Sequence, residues 1–371
     1  MRRMTGPVLR LSLAAMACLA MMTGGQARVP MAADGPAVAP TAAEVSRGLA
    51  YVSHQDGGIT VLDLDTFQTR AEIPVEGQGA RGIGITADGR QLVVAVRETG
   101  DVQIIDIASK MVVQRIHVGK NPEFVRVRGD LAFVSYEPSS TGKPPKAGAH
   151  DSKDDDDGDD EPARVAVIDL KQRKVLRHIV CGPETEGIEI TPDGRRIVVT
   201  NEADHTLTMH DVRTGKRLKT VDTKRHGVRP RGIKVSPDGE TYVATLEFGN
   251  KLLVLDRNLK PLRTVDTGAS PYGVAFDRTG KHVLVAAARD QKLQVFDARS
   301  FDKVAEVPVG ERCWHFSFTP DERQVLLTCG RSKETLVIDT ASWQVTQKLP
   351  TQGMSWGVLT WPKAMGSLDQ P

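Results

Sequence analysis

Seven positions in the chain carry side chains that could bind a ligand, and they recur at intervals of roughly 42 residues with one longer gap. Two are arginines, two are glutamates and three are aromatic: Arg81, Glu123, Glu186, Arg231, Tyr272, Trp314 and Trp356. An arginine fork binds carboxylate or phosphate through two parallel hydrogen bonds, and an aromatic face beside it suits a planar organic group. This set therefore predicts a site for a small anionic or aromatic ligand.

A second set of residues recurs at the same interval, at the turn that follows the second apolar segment of each repeat. Its members are His54, Arg97, Tyr136, Glu202, Glu247, Arg289 and Arg331. If both sets gather at one end of a channel, His54, Arg289 and Arg331 extend the ligand site. The alternative is a solvated channel whose charges only neutralise one another, and the sequence does not separate the two.

Cys313-Trp314-His315 is the most unusual local sequence. His315 stands where most repeats have glycine, which makes it a candidate ligand for a metal or a haem iron. Packing and hydrogen bonding are the commoner use of a single histidine. Cys313 and Cys329 lie on neighbouring predicted strands, which favours a disulfide in an oxidising compartment. Two free thiols that join His315 in a metal site are the alternative.

Catalytic motifs do not point to an enzyme. The sequence has no Gly-x-Ser-x-Gly elbow, no His-Glu-x-x-His pair and no phosphate-binding glycine-rich loop. It also lacks the Cys-x-x-Cys-His sequence that attaches a c-type haem. We therefore identify no catalytic residue and no required cofactor, and haem or a divalent metal remains an option.

The elements that position these residues repeat along the chain. Residues 187–211 alternate apolar and polar side chains around a Thr-Pro-Asp-Gly turn, which predicts two antiparallel strands and a third that follows them. An aspartate closes the third strand of each repeat, at Asp63, Asp106, Asp169, Asp211, Asp256, Asp297 and Asp339. Seven copies of this unit predict an all-β, seven-bladed β-propeller.

The two ends of the repeat predict a closed ring. The chain enters at residues 49–53, an apolar segment that matches a second strand, and no first strand precedes it. Residues 357–362 at the other terminus match a first strand. Pairing of these segments would complete the first blade and remove the open edges of a linear array. A closed ring needs no partner to cover its edges, so we expect a monomer.

The terminal segments predict an exported protein. Arg2, Arg3 and Arg10 flank a short apolar run that ends in a cleavage site near Ala27, as in a secretory signal peptide over 1–27. A flexible lead over 28–47, the propeller over 48–362 and a tail over 363–371 follow. We therefore expect a periplasmic or secreted protein with no transmembrane segment in the mature chain.

An acidic insertion interrupts the third blade over 138–162. Between His150 and Glu161 it holds eight acidic residues and one lysine, a charge of −7. Such a block favours a solvated, disordered loop, and capture of a divalent cation or docking to a basic partner is the alternative. Because the formal charge of the chain is only +2 and 5% of its residues are aromatic, nucleic-acid binding is not indicated.

Several segments resemble the YVTN-type β-propeller repeat. Residues 197–201 read Ile-Val-Val-Thr-Asn, residues 236–239 read Ser-Pro-Asp-Gly, and the resemblance covers 48–362. It implies a seven-bladed propeller of the YncE-like periplasmic type and, more distantly, the d1-type haem propeller of cytochrome nitrite reductases. The haem-binding branch uses histidines that reach the channel, and here His54 and His315 are the ones so placed.

These observations predict an exported binding or scaffold protein. Its channel mouth would bind a small anionic or aromatic ligand, or an exported partner protein. The first alternative is the handling of a haem or quinone cofactor in periplasmic electron transfer. The second alternative is a lactonase-type hydrolase.

Overall fold

The computed structural model describes residues 46–138 and 161–371, and every regular element within them is a β-strand. The strands form seven four-stranded antiparallel sheets. The innermost strand of each sheet contacts the innermost strands of both neighbouring sheets, all the way round a ring. The structure therefore confirms the all-β, seven-bladed β-propeller.

The strands are numbered in chain order, and each blade runs from the central channel outward. Blade one contains β28 (Ser355–Trp361), β1 (Leu49–His54), β2 (Ile59–Asp63) and β3 (Thr69–Ile73). Blade two contains β4 (Ala80–Ile85), β5 (Gln91–Val96), β6 (Asp101–Asp106) and β7 (Met111–His117), and blade three contains β8 (Pro122–Arg128), β9 (Leu131–Tyr136), β10 (Arg164–Asp169) and β11 (Lys174–Val180).

The remaining blades follow without interruption. Blade four contains β12 (Thr185–Ile190), β13 (Arg196–Asn201), β14 (Thr206–Asp211) and β15 (Arg217–Asp222), and blade five contains β16 (Pro230–Val235), β17 (Thr241–Leu246), β18 (Lys251–Asp256) and β19 (Pro261–Asp266). Blade six contains β20 (Pro271–Phe276), β21 (His282–Ala287), β22 (Lys292–Asp297) and β23 (Lys303–Pro308), and blade seven contains β24 (Cys313–Phe318), β25 (Gln324–Cys329), β26 (Glu334–Asp339) and β27 (Gln344–Pro350).

The aspartates that mark the repeat form turns. Asp106 Oδ1 accepts hydrogen bonds from the backbone N–H and the hydroxyl of Ser109, both at 2.8 Å, and Asp211 accepts the same pair from Thr214 at 2.7 Å. These hydrogen bonds hold the pKa of both carboxyls below its usual value. A side-chain oxygen that accepts from a nearby backbone N–H closes a turn. The repeated aspartates therefore set the connection between the third and fourth strands.

The ring closes through a blade built from both ends of the repeat. In the pairing of β1 with β28, Ala50 lies opposite Thr360 and Val52 lies opposite Val358. The inner strands are almost wholly buried and contribute a core of Val, Ile and Leu side chains, while the outermost strands alternate exposed and partly buried residues. Because the ring is closed, every blade packs against a neighbouring blade on both sides.

An irregularity at the start of the innermost strands positions the candidate site. In all seven blades the pairing with the second strand shifts between the first and the fourth residue of the innermost strand, as between Ala80 and Ile83 of β4. In β4 the two residues taken out of regular pairing are Arg81 and Gly82. A bulge of this kind re-aims side chains at the rim of a sheet. The predicted ring residues occupy this position in each blade.

The C-terminal tail packs inside the propeller. Phe318 N–H donates to the carbonyl of Met365 at 2.8 Å, and Ser367 N–H donates to the carbonyl of Phe316 at 2.9 Å. Gly366 forms a β-bridge with Ser317 of β24. The tail therefore pairs with the inner edge of blade seven, next to the channel.

Some predicted segments lie outside the described residues. These are the signal peptide over 1–27, the lead as far as residue 45, and residues 139–160 of the acidic insertion. No helix long and apolar enough to cross a membrane occurs in the described part of the chain.

Candidate functional site

The mouth is the end of the channel at which the innermost strands begin, and five of the seven predicted ring residues meet there. Arg81 forms an ion pair with Glu123. The phenolic O–H of Tyr272 donates to Glu186, and Arg231 Nη1 lies 3.3 Å from the same carboxylate. The structure thus joins side chains of blades two to six in one charged cluster.

A second tier of charged residues surrounds Arg231. Its Nε lies 2.6 Å from Glu247, and its Nη1 also pairs with Glu202. Arg229 lies 2.6 Å from Glu202 and 3.2 Å from Glu184. Both guanidiniums are therefore already bound to carboxylates of this chain.

Of the other two ring residues, Trp356 packs against His315. The centroid of the His315 ring lies 4.3 Å from that of Trp356, 5.4 Å from that of Tyr272 and 6.0 Å from that of Phe124. Trp314 and Trp356 are both buried. Aromatic side chains therefore surround His315 next to the charged cluster, and Tyr272 belongs to both groups.

His315 is held by the tail and is neutral. Its Nδ1 lies 3.1 Å from Ser367 Oγ, and Nε2 has no hydrogen-bond partner among the described residues. Burial, assisted by Arg126 and Lys234, lowers the pKa of His315 to about 3. Its predicted role as a metal ligand remains a prediction.

Glu137 belongs to the mouth cluster, although the sequence pattern indicates Tyr136 at that position. Tyr136 pairs with the first residue of β8, just as Leu246 pairs with the first residue of β16. Glu137 is therefore the counterpart of Glu247, which directly follows Leu246. The signal that identifies it is the register of cross-strand partners, which apolar spacing alone does not reveal.

By the same cross-strand register, three other predicted residues lie one position away from the equivalent of Glu247. His54 lies one residue before the equivalent position, and Arg289 and Arg331 lie one residue after it. His54 Nε2 lies 2.8 Å from Thr60 Oγ1, and Arg289 is exposed. A direct role for these three in ligand binding stays a prediction.

Three buried glutamates form the most compact acidic group in the described residues. Oxygens of Glu123, Glu137 and Glu186 all lie within 4.8 Å of one another. Burial raises the pKa of Glu123 to about 7 despite the ion pair with Arg81. Burial and the neighbouring Glu123 raise the pKa of Glu137 well above its usual value. Negative charge is thus poorly compensated around Glu137.

The far end of the channel, where the innermost strands finish, holds a second buried charged group. Glu189 lies 3.4 Å from Arg126 Nη2 and 3.5 Å from Lys234 Nζ. Arg126 also donates to the carbonyl of Leu368, and Lys234 donates to that of Asp369 at 3.1 Å. The tail therefore completes the hydrogen bonding of this group.

The cysteines of blade seven are bonded to each other. Cys313 and Cys329 lie directly opposite in the pairing of β24 with β25 and form a disulfide. Their thiols are thus not free to join His315 in a metal site. The remaining described cysteine, Cys181, is free and buried, and burial raises the pKa of its thiol to about 12.

Solved structures share this fold at low sequence identity. A hydrazine synthase of Kuenenia stuttgartiensis is similar with a TM-score of 0.61 and 19% identity, over 76% of this chain and 90% of the other. A functionally unknown protein of Desulfotomaculum acetoxidans has a TM-score of 0.68 and 17% identity, over 84% and 98%. The dihydro-heme d1 dehydrogenase NirN, in complex with DHE, has a TM-score of 0.61 and 18% identity, over 87% and 78%.

Two family models match the sequence itself, whereas no curated protein matches at a significant level. The YNCE-like beta-propeller model matches residues 35–130. The Cytochrome D1 heme domain model matches residues 160–366, more than half of the 371 residues. The chain therefore belongs to the cytochrome D1 heme domain family of β-propellers.

Proposed function

We propose that this protein is an exported, non-enzymatic propeller that binds a small, positively charged ligand at the mouth of its channel. Export is inferred from the basic and apolar N-terminal segment. The ligand class is inferred from one observation, the excess of glutamates over the arginines that contact them at the mouth.

Six glutamates gather at the mouth, and three arginines pair with them. The glutamates are Glu123, Glu137, Glu184, Glu186, Glu202 and Glu247, and the arginines are Arg81, Arg229 and Arg231. Arg97 also acts on Glu123, and Arg312 acts on Glu247. A buried carboxylate that lacks a counter-charge is costly, so a ligand that brings positive charge is favoured here.

The arginines of the mouth do not favour the anionic ligand that the sequence suggests. Arg81 is bound to Glu123, and Arg231 is bound to three carboxylates. An incoming anion would have to displace these glutamates into a surrounding that is already negative. These ion pairs therefore favour a cationic ligand over the anionic one that the sequence suggests.

The family implies a haem, and the residues at the mouth do not fit one. A haem carries carboxylate groups on its rim, which the surrounding glutamates would repel. His315, the candidate iron ligand, is 3% exposed and is enclosed by Trp356, Tyr272 and Phe124. A flat macrocycle has no path to its Nε2 without displacement of these rings. The proposed ligand is therefore not a haem.

Thermal unfolding and calorimetry with a small panel test the proposal. The panel is tetramethylammonium chloride, calcium chloride, sodium phosphate and hemin, each added to the purified protein. We expect a positively charged probe to raise Tm and to bind with one site per chain. Phosphate and hemin should do neither.

A matched pair of variants locates the binding. Glu137→Gln removes one buried charge at the mouth, whereas Glu240→Gln removes an exposed one in the turn between β16 and β17. We expect only Glu137→Gln to weaken binding of the cation. Saturable phosphate or hemin binding with no response to either cation would overturn the proposal.

A further inference from the structure

We propose that Glu123, Glu137 and Glu186 hold a hard divalent cation, of the calcium or manganese type, with Asn121 as a fourth oxygen ligand. The inference rests on the proposed function and narrows the cationic ligand to a metal ion. It concerns only residues that the structure places in contact at the start of blades three and four.

The spacing of the three carboxylates suits such an ion. Their candidate oxygens lie within 4.8 Å of one another, and all three residues are buried. Calcium binds oxygens at about 2.4 Å, so two oxygens on opposite sides of one ion are about 5 Å apart. All three carboxylates can therefore reach one ion, with no movement of the strands that carry them.

Asn121 supplies an independent indication of a ligand. The residue is 6% exposed, and its side-chain Nδ2 lies 3.3 Å from Glu137 Oε2. Its Oδ1 has no hydrogen-bond partner among the described residues. A buried amide oxygen without a donor is costly. With the amide turned so that Oδ1 faces Glu137, a cation between the two residues would be bound by both oxygens.

The charges around Glu137 leave room for a cation. The neighbours that act most strongly on Glu137 are other glutamates, namely Glu123, Glu186, Glu202 and Glu184. Arg81 pairs with Glu123 and also acts on Glu186 and Glu137, and Arg231 pairs with Glu186. Glu137 forms none of the ion pairs described above, so it is the carboxyl of the group with which a cation would pair.

The donor set selects the type of metal. Every candidate ligand is a carboxylate or amide oxygen, the donor type that calcium, magnesium and manganese prefer. Sulfur and imidazole, which favour zinc and copper, are not in the group, because Cys313 and Cys329 form a disulfide and His315 packs among aromatic rings.

Terbium luminescence and native mass spectrometry on the EDTA-treated full chain test the inference. We expect one terbium ion per chain, with emission that calcium chloride or manganese chloride competes away. Glu137→Gln and Asn121→Ala should each weaken binding at least tenfold, while Glu240→Gln should leave it unchanged. A variant with Asn at positions 154–157 removes acidic charge from the insertion and should retain the site.

The outcomes separate this inference from the proposed function. If tetramethylammonium binds in a Glu137-dependent manner but no metal ion does, the metal site is wrong and the proposed function stands. If neither probe binds, both are wrong. If metal binding survives both Glu137→Gln and Asn121→Ala but is lost with Asn at 154–157, the insertion binds the ion and the inference fails.

Discussion

Both ends of the central channel carry buried charged residues, but these charges are paired in different ways. At the far end, Arg126 and Lys234 flank Glu189, and the carbonyls of the tail accept their remaining hydrogen bonds. At the mouth, six glutamates meet three arginines in the ion pairs described above, and Glu137 forms none of these pairs. The charges of the far end are paired within the chain, whereas the mouth is where we propose that a ligand binds.

The difference suggests two roles for buried charged groups, one in the fold and one in ligand binding. A buried charged group whose partners all come from the chain contributes to a defined fold. A buried group with a surplus of one sign costs stability until a ligand or a proton neutralises it. Changes at the two ends should therefore respond differently to added cations and to pH.

Removal of the tail should have the largest effect. Deletion of residues 364–371 removes the buried Leu368 side chain, which is 1% exposed, and uncovers Arg126 and Lys234. We expect a loss of about 5 kcal/mol in the free energy of unfolding, from lost apolar burial and from two buried charges that lose their carbonyl acceptors. Urea unfolding followed by tryptophan fluorescence measures it.

The control for this prediction is deletion of the exposed Pro371 alone, which should leave the unfolding midpoint in place. An unchanged midpoint after deletion of 364–371 would show that the tail does not stabilise the far end.

Removal of one arginine from each end should destabilise both but respond differently to calcium. Arg126→Met and Arg231→Met each leave carboxylates or carbonyls without a buried donor, and we expect each to cost about 4 kcal/mol. Calcium chloride should restore more of this loss in Arg231→Met, because the freed glutamates lie at the cation-binding end. Thermal unfolding with and without calcium measures the effect, and equal responses of the two variants would contradict it.

The far end should also become more stable as pH rises. Burial lowers the pKa of Lys234 to about 7, whereas a lysine in the unfolded chain titrates near 10.4. Between these values the unfolded chain binds more protons than the folded protein, so a rise in pH favours folding. We expect a gain on the order of 2 kcal/mol between pH 7 and pH 9 from this residue.

Urea unfolding at the two pH values, compared between the natural chain and Lys234→Met, isolates this contribution. The variant should lose the pH-dependent gain, and an identical pH dependence in both proteins would argue against it.

The smallest effect should come from neutralising one glutamate at each end. In EDTA at neutral pH, Glu137→Gln removes a carboxyl whose raised pKa disfavours folding, and it should stabilise the protein by about 1 kcal/mol. Glu189→Gln should instead destabilise it, because Glu189 is paired with both Arg126 and Lys234. Chemical unfolding of both variants measures the difference, and the same sign in both would remove the distinction between the two ends.

Much of the fold follows from short-range patterns in the sequence. The alternation of residues 187–211 and the aspartates at the third-strand turns reflect structure that forms within one blade, so they predict seven repeated β units. The match of residues 357–362 to a first strand also predicts the closing blade, because the missing strand has a recognisable pattern.

The candidate site could be predicted only in part. Arg81, Glu123, Glu186, Arg231 and Tyr272 share a repeat position, and the structure brings them together. Glu137 was missed because apolar spacing does not fix the cross-strand register to the residue, and one residue separates it from Tyr136. The charge of the ligand stays a prediction, because spacing identifies arginines without showing which glutamates pair with them.

The sequence by itself thus determined the strands, the turns, the number of blades and the ring of polar positions, since these depend on residues close together in one repeat. Only the tertiary structure decided which charges pair across blades, that the tail completes the far end, and that Glu137 joins the mouth. Those outcomes depend on distances between residues far apart in the chain, which repeat periodicity does not encode.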